Sequence, residues 1–292
     1  MSASLGRVQP LRHVLSFDVE EHFQVAAFWS AARRQQWDGL ESRVERNTRR
    51  IADLLAEHST HATFFILGWV AERHPDLVKD LARQGHEIAS HGYGHELISM
   101  QTPTQFRSDV RRAKQILEDL VGTAVLGYRA PSFSIHAQTV WALPILVEEG
   151  YRYDSSIYHK FKSRYDGPAS SSSCYVIETT AGSLLEVPPS TLKKGFAHLP
   201  VAGGGYFRLF PYRTSRMFLH AIEQQGVQLV MYLHPWELDP EQPRMDGPLL
   251  SKFRHYLNLH RTESRLLSLL NDFSFGPFRD TIQPVQDLVR AA

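Results

Sequence analysis

The stretch that decides the fold is residues 62–95, ATFFILGWVAERHPDLVKDLARQGHEIASHGYGH. It opens on a short apolar run, Ala62–Leu67, the signature of a buried strand. Trp69 to Gln84 has the spacing of a helix with Pro75 in its course, and Gly85 supplies the stop signal. His86–Ala89 is a further short strand. Working outward, the same alternation recurs. His13–Phe17 reads as a first strand, and Ser42 to Glu57 as a helix whose Ser42 and Glu45 have capping-box spacing. Thr102-Pro103 opens a long helix to about Val121. Leu126–Tyr128 is a strand, Thr139–Glu149 a helix and Tyr151–Tyr153 a strand. A Gly/Pro/Ser loop at 166–173 breaks the rhythm. Tyr175–Glu178 and Leu184–Val187 look like a hairpin pair, and Gly203–Gly205 like a turn. A helix near Tyr212–Gln225, a strand at Val227–Leu233 and a last helix at Ser251–Asp272 follow. Repeated β-then-α units predict an α/β fold, a parallel sheet closed or nearly closed into a distorted, TIM-like (β/α) barrel. Residues 160–210 are expected to decorate it as a β-rich insert. With no long linker, the chain is expected to form a single domain over 1–292, the barrel covering about 13–275 and a C-terminal extension following.

Composition narrows the function. The 292 residues are 42% hydrophobic and 22% charged, enough apolar material for a large core and against global disorder. Thirty-two basic side chains balance 31 acidic ones, so no general attraction to nucleic acid or anionic membrane is expected. The single cysteine, Cys174, excludes an intramolecular disulfide and any site of several thiolates. The start, Met1 to Pro10, lacks a signal-peptide core, and no run reaches the ~18 apolar residues of a membrane span. A cytoplasmic protein, acting at the inner membrane face, is the expectation. Fifteen histidines are the unusual count.

In a β/α barrel, chemistry gathers just after the C-terminal ends of the strands. The first strand ends in Asp18-Val-Glu20-Glu21-His22, the third in Ser90-His91-Gly-Tyr-Gly-His95 and the fourth in Arg129-Ala-Pro131. The fifth ends in Asp154 and the last strong one in His234-Pro-Trp236-Glu237. Each of these junctions delivers an ionisable side chain. His91 and His95 are the natural metal candidates, because imidazoles are favoured ligands of zinc and similar ions. A four-residue spacing alone is usually incidental; a carboxylate nearby completes a set that leaves positions open for water and substrate. Strand alternation puts Asp18 and Glu20 on one side and Val19 in the core, so one acid can bind metal while the other takes a proton. Against this stands the plain reading of a solvated acidic turn. Arg129 can hold a carboxylate through its fork. His234 can protonate a leaving group, and Asp154 can orient such a histidine or cap the Ser155-Ser156 turn. Phe23, Trp29, Phe133 and Trp236 are candidates for a sugar platform, although such aromatics are more often core.

Taken together, SFDVEEHFQV, GHEIASHGYGH, GYRAPSFS, YRYDSSIY, LPVAGGGYFRLFP and YLHPWELDP resemble the polysaccharide deacetylases with NodB homology, carbohydrate esterase family 4. More narrowly they look like the subgroup of exosortase-linked (PEP-CTERM) exopolysaccharide loci. The resemblance covers about residues 13–275. It implies a divalent metal, usually zinc, and hydrolysis of N-acetyl groups on amino-sugar polysaccharides or oligosaccharides. By position, Asp18 looks like the general base, His91 and His95 like metal ligands, and Arg129 like the residue orienting the base. His234 is similar to the general acid with Asp154 as its support, and the Ser132 N–H matches the oxyanion donor. Trp236 is placed with the substrate. The family usually has adjacent aspartates in its first motif, where this chain has Asp18-Val19. Glu20 is therefore assigned as third ligand, with Glu21 and Asp18 as the alternatives. Hydrolysis of a small amide, a non-haem iron oxygenase and a non-catalytic glycan-binding module are the rival readings.

Overall fold

The structure, a computed structural model, describes residues 11–28, 35–157, 174–194 and 197–283, with residue 287. Its centre is a largely parallel sheet. The strands are β1 (His13–Val19), β2 (Thr63–Ile66), β3 (Glu87–Ser90), β4 (Gly127–Tyr128), β5 (Tyr153–Asp154), β6 (Tyr175–Thr179), β7 (Gly182–Glu186), β8 (Thr191–Lys194), β9 (Ala197–Pro200), β10 (Val230–Leu233) and β11 (Phe275–Gly276). They lie in the order β10-β1-β2-β3-β4-β5-β7-β6, with β11 also on β1 and β8-β9 as a separate antiparallel hairpin. Between β7 and β10 the ring is crossed by single contacts. Ser190 N–H donates to Val230 O at 3.1 Å, and Gly203 bridges Tyr232. The molecule is thus an α/β fold whose parallel sheet curls into a distorted barrel.

The helices are α1 (Val44–Glu57), α2 (Gly68–Arg73), α3 (Pro75–Arg83), α4 (Pro103–Val121), α5 (Ala142–Glu148), α6 (Gly204–Leu209), α7 (Tyr212–Glu223), α8 (Leu249–Tyr256), α9 (Thr262–Asp272) and α10 (Phe278–Thr281). Every residue of β1 is buried, as expected for a strand covered on both faces. Leu15, Phe17 and Val19 join the large core with Ile51, Leu54 and Leu55 of α1. Val14 faces the other way, into a smaller cluster with Phe65, Ala89, Tyr153, Leu185 and Phe278. Ser16 and Asp18 continue that second face, so the same alternation that packs the core delivers a carboxylate to the interior. No helix among the described residues is long and apolar enough to cross a membrane.

Several local expectations are corrected. Pro75 starts a new helix rather than riding within one; its ring and missing N–H end α2 at Arg73. Asn258, with φ at 52°, likewise separates α8 from α9 where one helix was expected. Ser42 does not cap α1. Its hydroxyl donates to Glu21 Oε1 at 2.5 Å, and Glu21 accepts the Arg43 and Val44 N–H groups instead. The Thr102–Gln105 capping box of α4 is present. Gly203-Gly204-Gly205 opens α6 rather than forming a turn. The hairpin is no mere decoration, because β7 pairs in parallel with β5 and extends the main sheet. The loop at 166–173 lies outside the described residues.

Phe64 of β2 stacks on Phe17 at 5.3 Å and meets His86 edge-on at 4.9 Å. Phe64→Ala is expected to cost about 3–5 kcal/mol through the cavity it leaves. That is a fall of roughly 10 °C in the thermal midpoint, read by calorimetry.

Candidate active site

The interior becomes polar at the C-terminal ends of the strands. Asp18 is carried there by β1, and its Oδ1 accepts from Arg129 Nη1 at 2.6 Å. Arg129 follows β4 and is wholly buried. Its Nη1 also donates to Ser16 Oγ (2.9 Å), its Nε to Ser155 O (3.1 Å) and its Nη2 to Ser155 Oγ (2.9 Å). The guanidinium lies 4.1 Å from the centre of the Phe65 ring, so cation–π attraction replaces part of the lost hydration.

Beyond Val19 the chain turns, Glu20 N–H donating to Asp18 O at 3.1 Å, and the Glu20 side chain enters the same chamber. Its Oε2 lies 2.5 Å from His95 Nε2 and 3.7 Å from His91 Nε2. His91 Nδ1 is 2.7 Å from Arg129 O. A carbonyl only accepts, so Nδ1 carries a proton and Nε2 is the ring nitrogen directed at Glu20. The loop bearing His95 is pinned by Asp109, which accepts the Tyr93 and Gly94 N–H groups at 2.7 and 3.1 Å. All three candidate ligand atoms lie within 4.8 Å of one another, and all three residues are buried. Burial pushes the Glu20 carboxyl up, but the charge of His95 and hydrogen bonds from both histidines hold it well below the usual range. Two imidazole nitrogens and one ionised oxygen fit the donor set of zinc or a similar divalent ion.

His234 stands across the chamber. Its Nε2 is 3.8 Å from Asp18 Oδ2 and 3.9 Å from Glu20 Oε1. The expected support, Asp154, does not reach it; Glu237 does, at 2.6 Å from Nδ1. Burial lowers the His234 pKa, but the Glu237 hydrogen bond and the nearby Glu20 and Asp18 raise it, for a result of about 9. Trp236 also departs from expectation. It is 6% exposed, stacks against His255 at 4.1 Å and donates from Nε1 to Glu20 Oε1 at 3.1 Å, steadying an acid rather than offering an open face.

Asp154 sits on the other flank, paired in register with Glu186 across β5 and β7. Burial raises Asp154 to about 6, and burial with the charge of Asp154 pushes Glu186 well above the usual range. Asp154 accepts the Ser156 hydroxyl, and Ser156 Oγ in turn accepts Ala130 N–H at 2.7 Å. It therefore braces the Ser155-Ser156 turn that holds Arg129, the second of the two roles considered for it. Ser132 is exposed, with φ at 54° in the left-handed region. Glu21 is consumed in capping α1 and lies outside the three-residue cluster. Phe23 is core, edge-on to Trp69, and Phe133 packs on Tyr232 at 4.7 Å. Trp29 lies outside the described residues. Glu237 is the residue that sequence reasoning missed; its three-residue spacing from His234 was the available signal.

Residues 37–153 match a family model described as polysaccharide deacetylase, and residues 155–283 a second described as a domain of unknown function (DUF3473). Over the first of these stretches the chain is similar to polysaccharide deacetylases. It is 36% identical over 96 residues to a peptidoglycan-N-acetylglucosamine deacetylase of Bacillus cereus, covering 32% of this chain and 35% of that protein. To a chitooligosaccharide deacetylase of a Bradyrhizobium species it is 27% identical over 95 residues, covering 32% of this chain and 43% of that protein. The chain thus spans less than half the length of either. A crystal structure of a Mycobacterium smegmatis protein assigned as a polysaccharide deacetylase superposes with a TM-score of 0.64 at 21% identity, covering 96% of this chain and 91% of that one. That likeness shows the fold. The first family match takes in His91, His95 and Arg129; His234 and Glu237 fall in the second.

Arg129→Met leaves the Asp18 carboxylate buried without its partner and is expected to cost about 3–5 kcal/mol in denaturant melts. The His234 charge gives a pH signature in metal-free protein. A folded pKa of about 9 against an ordinary 6.5 means the imidazolium stabilises the fold. That contribution is complete below pH 6.5 and lost as pH rises through about 9. The melting-temperature gap between wild type and His234→Asn is expected to close over that interval.

Proposed function

We propose that this protein is a metal-dependent hydrolase that removes N-acetyl groups from an amino-sugar polysaccharide or its oligosaccharide precursor, in exopolysaccharide biosynthesis. The observation that carries this is the convergence of Glu20, His91 and His95 in one buried chamber, with Asp18 and His234 beside them. The similarity to peptidoglycan and chitooligosaccharide deacetylases supports the substrate class.

Glu20, His91 and His95 would hold a divalent ion such as zinc, which would supply the positive charge that acidifies a water and polarises the acetyl carbonyl. Asp18 is the base. Arg129 occupies its Oδ1 and leaves Oδ2 to accept the proton of the attacking water. The Ser132 N–H donates to the oxygen on which negative charge develops. His234 passes its Nε2 proton to the departing nitrogen, so the products are acetate and a free amine. Asp154 acts at a distance, through the Ser155-Ser156 turn that steadies Arg129.

Purified protein should contain a stoichiometric divalent metal and release acetate from chitooligosaccharides. His91→Ala should lose both metal and activity. His234→Ala should keep the metal and lose about 10²–10⁴ in rate. Undiminished acetate release from metal-depleted His91→Ala protein contradicts the proposal.

A further inference from the structure

The proposed general acid stands on a part of the chain that the deacetylase family match does not cover. His234 and Glu237 follow β10, and Arg208 lies in α6, all within the stretch 155–283 that matches a domain of unknown function. Glu237 Oε1 lies 2.6 Å from His234 Nδ1 and accepts the His234 N–H at 3.0 Å. Glu237 Oε2 accepts from Arg208 Nε at 2.6 Å. Arg208 is itself anchored. Its Nη1 donates to the carbonyls of His255 (2.8 Å), Leu257 (2.7 Å) and Arg254 (3.2 Å) at the end of α8. Its own carbonyl accepts from Asn258 Nδ2 at 2.9 Å and Arg265 Nη1 at 2.8 Å. The Glu237 carboxylate is therefore gripped from both sides, and both Glu237 and Arg208 are buried.

Space around this carboxylate is made by glycine. A Cβ on Gly204 would fall 1.9 Å from Glu237 Oε1, and one on Gly203 would fall 2.3 Å from the Tyr232 hydroxyl. Any side chain at 204 would expel the carboxylate from its position. This accounts for glycine at position 204, the first residue of α6.

A carboxylate accepts and does not donate when ionised, so the ring nitrogen facing it must be the protonated one. A free neutral imidazole exchanges between two tautomers and rotates about its side-chain bonds. Held against Glu237, His234 keeps its proton on Nδ1. Nε2 is then the ring nitrogen turned toward Asp18 and Glu20.

We infer that the 155–283 segment serves the active site by clamping its acid: Glu237 and Arg208 are positioning residues that fix the tautomer and orientation of His234, in space left by Gly204. The catalytic consequence rests on the deacetylase reading; the tautomer does not.

The test uses zinc-loaded full-length protein, Glu237→Gln and Arg208→Lys, with zinc content and thermal midpoint recorded for each. Chitooligosaccharide kinetics, and nitrogen-15 NMR of labelled histidines at a pH where the His234 ring is neutral, are then compared. Glu237→Gln is expected to lower kcat about 10–100-fold with KM changed less than about twofold, and to release His234 into a mixture of tautomers. Arg208→Lys should fall between it and wild type. Wild-type kcat in folded, zinc-loaded Glu237→Gln overturns the inference, and so does a loss of kcat with the tautomer unchanged. If the wild type releases no acetate from any acetylated oligosaccharide, the deacetylase reading fails. The tautomer comparison then decides alone: a mixed population in Glu237→Gln supports the clamp, and an unchanged one rejects it.

Discussion

Arg129 is the residue around which the chamber is organised. A guanidinium without access to water is tolerable only when its donors are matched and its charge is compensated. Asp18 supplies the charge, Ser16 and Ser155 the remaining acceptors, and Phe65 an aromatic face. The main chain of the same residue does a second job, since its carbonyl fixes the proton of His91 on Nδ1. One residue thus orients both the candidate base and a candidate ligand. Asp154 and Glu186, pressed together beside it, are both shifted toward their neutral forms, which limits the negative charge placed against that flank.

On the opposite flank a second buried ion pair, Arg208 with Glu237, does for His234 what Arg129 does for Asp18. The two arms come from different stretches of sequence. Arg129 belongs to the β/α succession that ends near β5. Arg208 and Glu237 belong to the later part, which also contributes β7, β10 and β11 to the sheet. Both parts contribute strands to the one sheet. Glu20 lies between the arms, touched by His91, His95, Trp236 and His234, and is the most heavily contacted carboxylate of the site.

Much of this was legible in the order of residues. Asp18 stands near the end of an apolar strand, and Glu20, His91, His95, Arg129 and His234 lie in the few residues after one, and that address is local information. Strand alternation separated Val19 from its acidic neighbours correctly. What failed was non-local. The support of His234 was assigned to Asp154 because an acid at a strand end is visible, whereas the grip of Arg208 on Glu237 depends on tertiary packing. The strand β7 was taken for decoration because a Gly/Pro/Ser loop precedes it, and nothing in a short apolar run tells which neighbour it will pair with. The Gly203–Gly205 run was read as a turn because glycine signals backbone freedom more often than a close approach by a distant carboxylate. Ser42 carried the right spacing for a cap, but Glu21, brought close only by the fold, took the helix N–H groups in its place.

The central claim is that Glu20, His91 and His95 form a metal centre. The most direct measurement is anomalous diffraction at the zinc edge from crystals grown with zinc. The account predicts a single strong peak bounded by Glu20 Oε2, His91 Nε2 and His95 Nε2. A chamber without an anomalous peak at full zinc saturation, or zinc bound only elsewhere on the protein, would contradict it.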